Sequence, residues 1–364
     1  MAANRWLMTG NYFSSHREEQ RIFLTNLDRT LFGVFLLCLF VWPLVFSVSN
    51  KSMLVADNIL IAIIAVLGLN LLTGFAGLIS IGHAAFVGIG AYSIAWVVKI
   101  IGEDHVMISH GWPVLIVFAG VIGAVFGAVV GLPAFRLKHL YLAIATLSFQ
   151  MIFEWTINFM SFFDQGQTIS VARVYWITGK VARKQHYFFW YYAILVAVVI
   201  CGFMIRNILR TRYGRSLVAV RDNDRAADAM GMHPGLTKVF AFALAGFFAG
   251  VAGAFHAYLN RGVGFESFTL QHSITYLAMA IVGGLGTLNG SFWGPVAIQF
   301  LELRVETLAE EAGHLFPSSM NLATALRPLT FGLVIVLFLM FEPRGIANWW
   351  RIARSYVKLW PFRY

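Results

Sequence analysis

Six polar side chains stand where their neighbours are apolar. Asn70, Thr73, Ser80 and His83 lie in GLNLLTGFAGLISIGHAAFVGIGAY (68–92), and Gln150 and Glu154 in LAIATLSFQMIFEWTINFM (142–160). In a stretch made for lipid, an imidazole or carboxylate could relay a proton, and amides and hydroxyls could line a path for a polar solute. Gln150, Glu154 and Asn158 are four apart and share one helix face. Plainer roles stand beside these: His83 capping or bonding a neighbour at a tight turn, and Glu154 snorkelling at an interface or pairing with a cation.

Other chemistry has no residues to carry it. There is no GxxxxGK[ST] loop to cradle ATP phosphates; Gly179-Lys180 is followed by Val181 and lacks the first glycine. No HExxH, GxSxG or CxxC is present. Cys38 and Cys201 sit inside apolar runs and build neither a disulfide framework nor a metal set. The reading is therefore a non-enzyme with no catalytic residues, cofactor or metal.

The elements that hold these residues follow from composition. Of 364 residues, 59% are hydrophobic and 12% charged, about half the charge of a soluble domain. The chain reads as an all-α polytopic membrane protein with about 8–10 transmembrane helices and broken or re-entrant Gly-rich segments. Candidate spans fall near 31–49, 54–73, 82–98, 112–132, 140–160, 187–205, 236–258, 271–285, 291–303 and 325–341. The eighth and ninth are short and interrupted by glycine. They read as two broken spans or one re-entrant pair. The polar start, with its first apolar run only near Leu31, reads as a signal anchor rather than a cleaved signal. The expected organisation is a cytoplasmic tail over 1–30, one transmembrane domain over 31–345 with an inner loop at 206–235, and a basic tail over 346–364.

Charge sets the orientation. With both ends inside, the cytoplasmic segments carry roughly 18 of the 27 Lys and Arg and roughly 7 of the 17 acids. The net charge of +10 is thus the excess that cytoplasmic loops of a bilayer protein hold, and it needs no nucleic acid.

Glycine rows predict close packing. Gly123, Gly127 and Gly131 form one, Gly246, Gly250 and Ala254 another, and Ala84 and Gly88 a third. Small residues four apart let helices approach in lipid. The inner loop RNILRTRYGRSLVAVRDNDRAADAMGMHPGLTK (206–238) predicts a short exposed helix. Asp222, Asn223 or Asp224 would cap it and Gly231 would stop it, with Pro234 beyond. Such a helix suits partner docking, and an ordinary solvated loop is the alternative.

The stretch 68–92 resembles the signature of branched-chain amino acid ABC transporter permeases of the LivM type. RLKHLYLAIATLSF (136–149), TRYGRSLVAVRDNDRAADAMGM (211–232), KVFAFALAGFFAGVAGAF (238–255) and SITYLAMAIVGGLGTLNGSFWGPV (273–296) are similar to further segments of that family, in order. The resemblance runs from about 54 to about 345. It implies a permease subunit in a bacterial inner membrane. It also implies four kinds of neighbour: a second homologous permease, two cytoplasmic ATP-binding subunits, a periplasmic substrate-binding protein and the bilayer. It implies that Ala226, Ala227 and Gly231 dock on an ATPase, with Arg225 standing where other ABC importers carry Glu. The outer loop departs from the family's "TGGxxGL": FDQGQTISVARV (163–174) holds one glycine, Gly166. The family also moves urea and short amides, so the solute is expected to be a branched-chain or hydrophobic amino acid or one of these.

Overall fold

In the computed structural model of the chain, residues 26–45, 49–102, 111–137, 139–160, 166–171, 183–315, 329, 332–333, 335–338, 340, 342 and 345–359 are described. They form twelve principal helices: α1 (Asn26–Val45), α2 (Asn50–Asn70), α3 (His83–Ile101), α4 (Trp112–Gly131), α5 (His139–Phe159), α6 (Arg183–Arg210), α7 (Arg212–Asp222), α8 (Asp224–Ala229), α9 (Pro234–Asn260), α10 (Leu270–Gly283), α11 (Leu288–Leu315) and α12 (Ile346–Leu359). A π turn, Leu71–Phe75, continues α2, and 3-10 turns follow α4 (Leu132–Phe135) and precede α10 (Phe265–Phe268). Among the described residues, six helices are long and apolar enough to cross a bilayer: α2 with its π turn, then α3, α4 with its 3-10 turn, α5, α6 and α9.

The chain divides into two compact units, 1–53 with 348–364, and 54–347. In the first, α1 is apolar and carries Pro43 inside it. α12, most of which belongs to that unit, exposes Trp349, Trp350, Ile352 and Tyr356 beside basic positions, the composition of a helix that lies in an interface plane.

In the second unit, α9 packs on α4 and α3, and α10 packs on α11. The glycine rows of α4 and α9 face each other directly. A Cβ built on Gly123 would strike the Gly246 carbonyl, and one on Gly246 would strike the Gly123 carbonyl. With no hydrophobic force between helices in lipid, such backbone contact is what holds them. Gly90 meets Gly250 in the same way where α3 crosses α9. A core of Ala62, Val66 and Leu69 from α2 packs on Met279, Ala280 and Val282 of α10 and Ile298 of α11.

Two short strands, β1 (Ile169–Ser170) and β2 (Gly262–Val263), pair antiparallel and tie part of the loop after α5 to the end of α9. Residues 163–165 and 172–174 lie outside the described residues. So does most of the expected span at 325–341.

One expectation is revised. The helix that holds the ninth apolar segment runs on past it: α11 has 28 residues, through Pro295, and its second half carries Glu302, Arg304, Glu306, Glu310 and Glu311. α10 has 14 residues, about 21 Å at 1.5 Å per residue, too little to cross ~30 Å of hydrocarbon alone.

Candidate functional site

Two breaks interrupt the helices of the second unit. The first lies between α2 and α3, the second at residues 284–287 between α10 and α11. Each leaves backbone N–H and C=O groups that lipid cannot satisfy, so they must be paired within the protein. The sequence-predicted polar residues meet that need in two clusters.

The first cluster joins the two breaks. Asn70 Nδ2 donates to the Thr287 carbonyl at 2.7 Å and to Ser291 Oγ at 2.8 Å. Gly286 N–H donates to Asn70 Oδ1 at 2.8 Å. Asn70 is 1% exposed, and its amide thus serves as donor and acceptor to one turn of backbone. Gly286 has φ +73, and a Cβ on Gly74 would collide with its nitrogen and with Asn70 Oδ1. Only glycine fits both positions. Thr73 Oγ1 donates to the Leu69 carbonyl at 2.5 Å within its own helix.

The second cluster holds two helix starts. After the π turn, residues 76–82 run back without helix to the level of Ala65, about 13 Å above Gly74 at 1.5 Å per residue. There His83 Nε2 donates to the Ala65 carbonyl at 2.9 Å. The first N–H groups of α3 lack helical partners, as all helix starts do. Ala84 N–H donates to Ser273 Oγ at 2.8 Å and Ala85 N–H to Gln150 Oε1 at 2.8 Å. Ile81 N–H donates to Thr146 Oγ1 at 3.0 Å. Gln150 Nε2 donates to the Phe268 carbonyl at 2.7 Å and to Glu154 Oε1 at 3.0 Å. Glu154 Oε1 also accepts from Leu270 N–H, the first of α10, at 2.6 Å. The face shared by Gln150 and Glu154 therefore caps α3 and α10 together. Ser80 is fully buried, and its Oγ has no partner among the described residues.

The residues expected to dock a partner stand apart from both clusters. Asn223 is the N-cap of α8, its Oδ1 accepting from Arg225 N–H at 3.0 Å and Ala226 N–H at 3.1 Å. Gly231, φ +80, closes it: Gly231 N–H reaches the Asp228 carbonyl at 2.9 Å and Met232 N–H the Ala227 carbonyl at 3.1 Å, the paired bonds of a Schellman stop. Ala227 is buried, while Arg225, Ala226 and Met230 are exposed. Lys238 at the start of α9 pairs with Asp224 at 2.5 Å.

Sequence reasoning missed four kinds of residue. Ser273 and Ser291 carry no local signal, because their partners are more than 120 residues away. Arg221, inside the loop that was singled out, bonds the first break through the Gly74 carbonyl. Asp57, in the apolar run of α2, is fully buried, with neither carboxylate oxygen hydrogen-bonded among the described residues. His256 and His272 line a cavity between α2, α9, α10 and α11. An ionisable residue within a candidate span was signal enough for Asp57. No group of three His, Cys, Asp or Glu suited to a metal ion gathers among the described residues.

The chain has relatives among known proteins. Residues 53–341 match the family model of the branched-chain amino acid transport system, permease component. The chain belongs to that family. It is 31% identical over 72% of its length to the high-affinity branched-chain amino acid transport system permease protein LivM of Escherichia coli (strain K12). It is 30% identical over 68% to the LivM protein of Salmonella typhimurium. It spans 65% and 61% of those two relatives. It is also 25% identical over 89% of its length to the inner membrane ABC transporter permease protein YjfF of Escherichia coli, of which it covers 93%. No solved structure matches the chain. The permease family accounts for the multi-pass membrane fold and for apolar helices that carry few charges.

Proposed function

We propose that this chain is a transmembrane subunit of an ABC importer. It passes a small organic solute, a branched-chain or other aliphatic amino acid, across a bacterial inner membrane. ATP is hydrolysed by two separate cytoplasmic subunits. A second homologous permease completes the path, and a periplasmic binding protein delivers the solute. The α7–α8 end of the bundle faces the cytoplasm, as the excess of Lys and Arg there and in the tails supports. Both termini lie on that side.

The observation that carries this reading is a continuous bonded route from an exposed knob to the breaks. α8 presents Arg225 and Ala226 to solvent on a helix stopped by Gly231. Its cap Asn223 follows Asp222, which pairs with Arg221 at 2.9 Å. Arg221 bonds the Gly74 carbonyl at 3.1 Å, and Asn70, four residues before Gly74, grips the second break. A displacement of α8 by an ATPase is thereby passed to both discontinuous helices. Bistable packed elements of this sort carry movement because they do not deform continuously.

The test is reconstitution in lipid discs with the companion permease, the ATPases and the binding protein. Leucine-loaded binding protein is expected to stimulate ATP hydrolysis, and Gly231→Pro to abolish the stimulation by destroying the α8 stop. Stimulation by urea or an amide alone would retain the machine and change the solute. Failure to form any complex with an ATPase would overturn the reading.

A further inference from the structure

The start of α12 is fixed within the second unit. Gly345, φ +75, lies against the second break, where a Cβ would strike the Gly284 backbone. Ile346 packs on the core of α2, α10 and α11, and Ala347 is 5% exposed. The same break is tied through Asn70 to the π turn of α2, whose Gly74 carbonyl bonds Arg221 of α7. α7 and α8, of 11 and 6 residues, are too short and too charged to enter hydrocarbon. This end of the unit therefore stands at the membrane surface, and α12 leaves the bundle at headgroup level.

From there its residues sort by face. Trp349, Trp350, Ala353 and Tyr356 follow Ile346 at steps of three and four and share one apolar side. All four are exposed, Trp349 by 56% and Tyr356 by 75%. Positions 351, 354 and 358 repeat at the same steps on another side, and all three are basic. Arg351 is exposed and donates from Nη2 to Asn348 Oδ1 at 2.8 Å. Its guanidinium has further donors, in the fork that matches phosphate. No Asp or Glu occurs in 346–364, where Arg363 adds another basic residue.

We infer that α12 lies in the headgroup layer and binds anionic lipid. Arg351, Arg354 and Lys358 receive the lipid phosphates. Trp349, Trp350, Ala353 and Tyr356 turn toward the acyl chains, at the depth where amphipathic rings settle. A helix of this kind is held by burial of its apolar face together with attraction to anionic headgroups. Basic segments beside a membrane span feel that attraction within about a Debye length of the surface. A soluble acidic partner would answer the charge but offer no hydrocarbon to the aromatic row. Anionic lipid answers both faces at once. The inference needs the membrane fold and is independent of the importer reading.

The test uses the full chain in lipid discs, with Cys38 and Cys201 replaced by alanine and Ala353→Cys carrying an environment-sensitive fluorophore. One set of discs is phosphatidylcholine, and the other an equal mixture with phosphatidylglycerol. In the mixed discs the label is expected to emit further to the blue and to be shielded from aqueous acrylamide. Salt at about 1 M, which shortens the Debye length to ~3 Å, should undo much of this shift. Each basic residue near an anionic surface favours the docked helix roughly fivefold. Arg351→Gln, Arg354→Gln and Lys358→Gln together should thus lower the ratio of docked to free helix about a hundredfold. Arg351→Lys with Arg354→Lys keeps the charge and should keep the shift, which separates lost charge from a damaged helix. Equal emission in the two discs, or a shift untouched by the three glutamines, overturns the assignment. A shift lost in the lysine pair as well overturns it too. So does shielding that requires added ATP-binding subunits in both discs, which would give this face to a protein.

Discussion

Arg221 Nη1 donates to the carbonyl of Gly74 at 3.1 Å, joining residues 147 apart in the chain. The first residue ends the helix before α8, and the second lies in the π turn that closes α2. Gly77, φ +69, lies against the Arg221 stem, where a Cβ would approach Arg221 Cβ to 3.3 Å. The guanidinium also pairs with Asp222. One side chain thus links the proposed docking helix to backbone that no helix satisfies.

Arg221→Ala removes that link and leaves α8 capped. Transport is expected to fall about tenfold or more, as for loss of a hydrogen bond from a charged donor. ATP hydrolysis by the assembled complex should persist but lose its response to the loaded binding protein. Uptake and hydrolysis measured on one preparation decide this, and wild-type values for both would refute the link.

Asn70→Ala leaves Gly286 N–H and Ser291 Oγ short of a partner in a site 1% exposed. Each unsatisfied buried group costs about 1–3 kcal/mol, so the melting temperature in detergent should drop clearly. Asn70→Asp keeps an acceptor for Gly286 and loses both donated bonds, so it should also be destabilised. An unchanged melting temperature in both would show that the two breaks are not braced through this amide.

Glu154 tests a proton-carrying role against a capping one. Its Oε1 accepts from Leu270 N–H and Gln150 Nε2, and an amide oxygen can do the same. Glu154→Gln should therefore keep most ATP-driven uptake, while Glu154→Ala should lose about 1–3 kcal/mol of stability. Abolished uptake in Glu154→Gln, with normal expression and melting, would point to proton coupling.

Gly246→Val forces a branched side chain into the Gly123 carbonyl. Overpacking of this kind costs about 1–3 kcal/mol, occasionally more, and here the obstacle is backbone that cannot rotate away. Reduced expression and early melting are expected. Gly33, beside which a Cβ meets nothing within 4 Å, should accept Ala with no change in either measurement.

Legibility tracked the range of each interaction. The spans could be read because hydrocarbon requires about 20 apolar residues in a row, a property of contiguous sequence. The α8 cap and stop were readable for the same reason: Asn223 and Gly231 act on backbone within five residues. The glycine rows announced close packing but not their partners. That Gly123 meets Gly246 required the fold.

Asn70, Gln150 and Glu154 show the other side. Their types and burial in apolar runs marked them as important, yet pathway and structural roles looked alike from the chain alone. Their main partners lie 116 to 221 residues away, in α10, α11 and the turns beside them. Local pattern carries no information about which helix start an amide will cap, because that depends on where the bundle brings α3, α5 and α10 together. Linear sequence thus determined that the chain crosses a membrane and where its helices weaken. Tertiary packing alone decided which polar groups complete those weak points and which line an open cavity, since in lipid each broken backbone group must find its partner across the bundle.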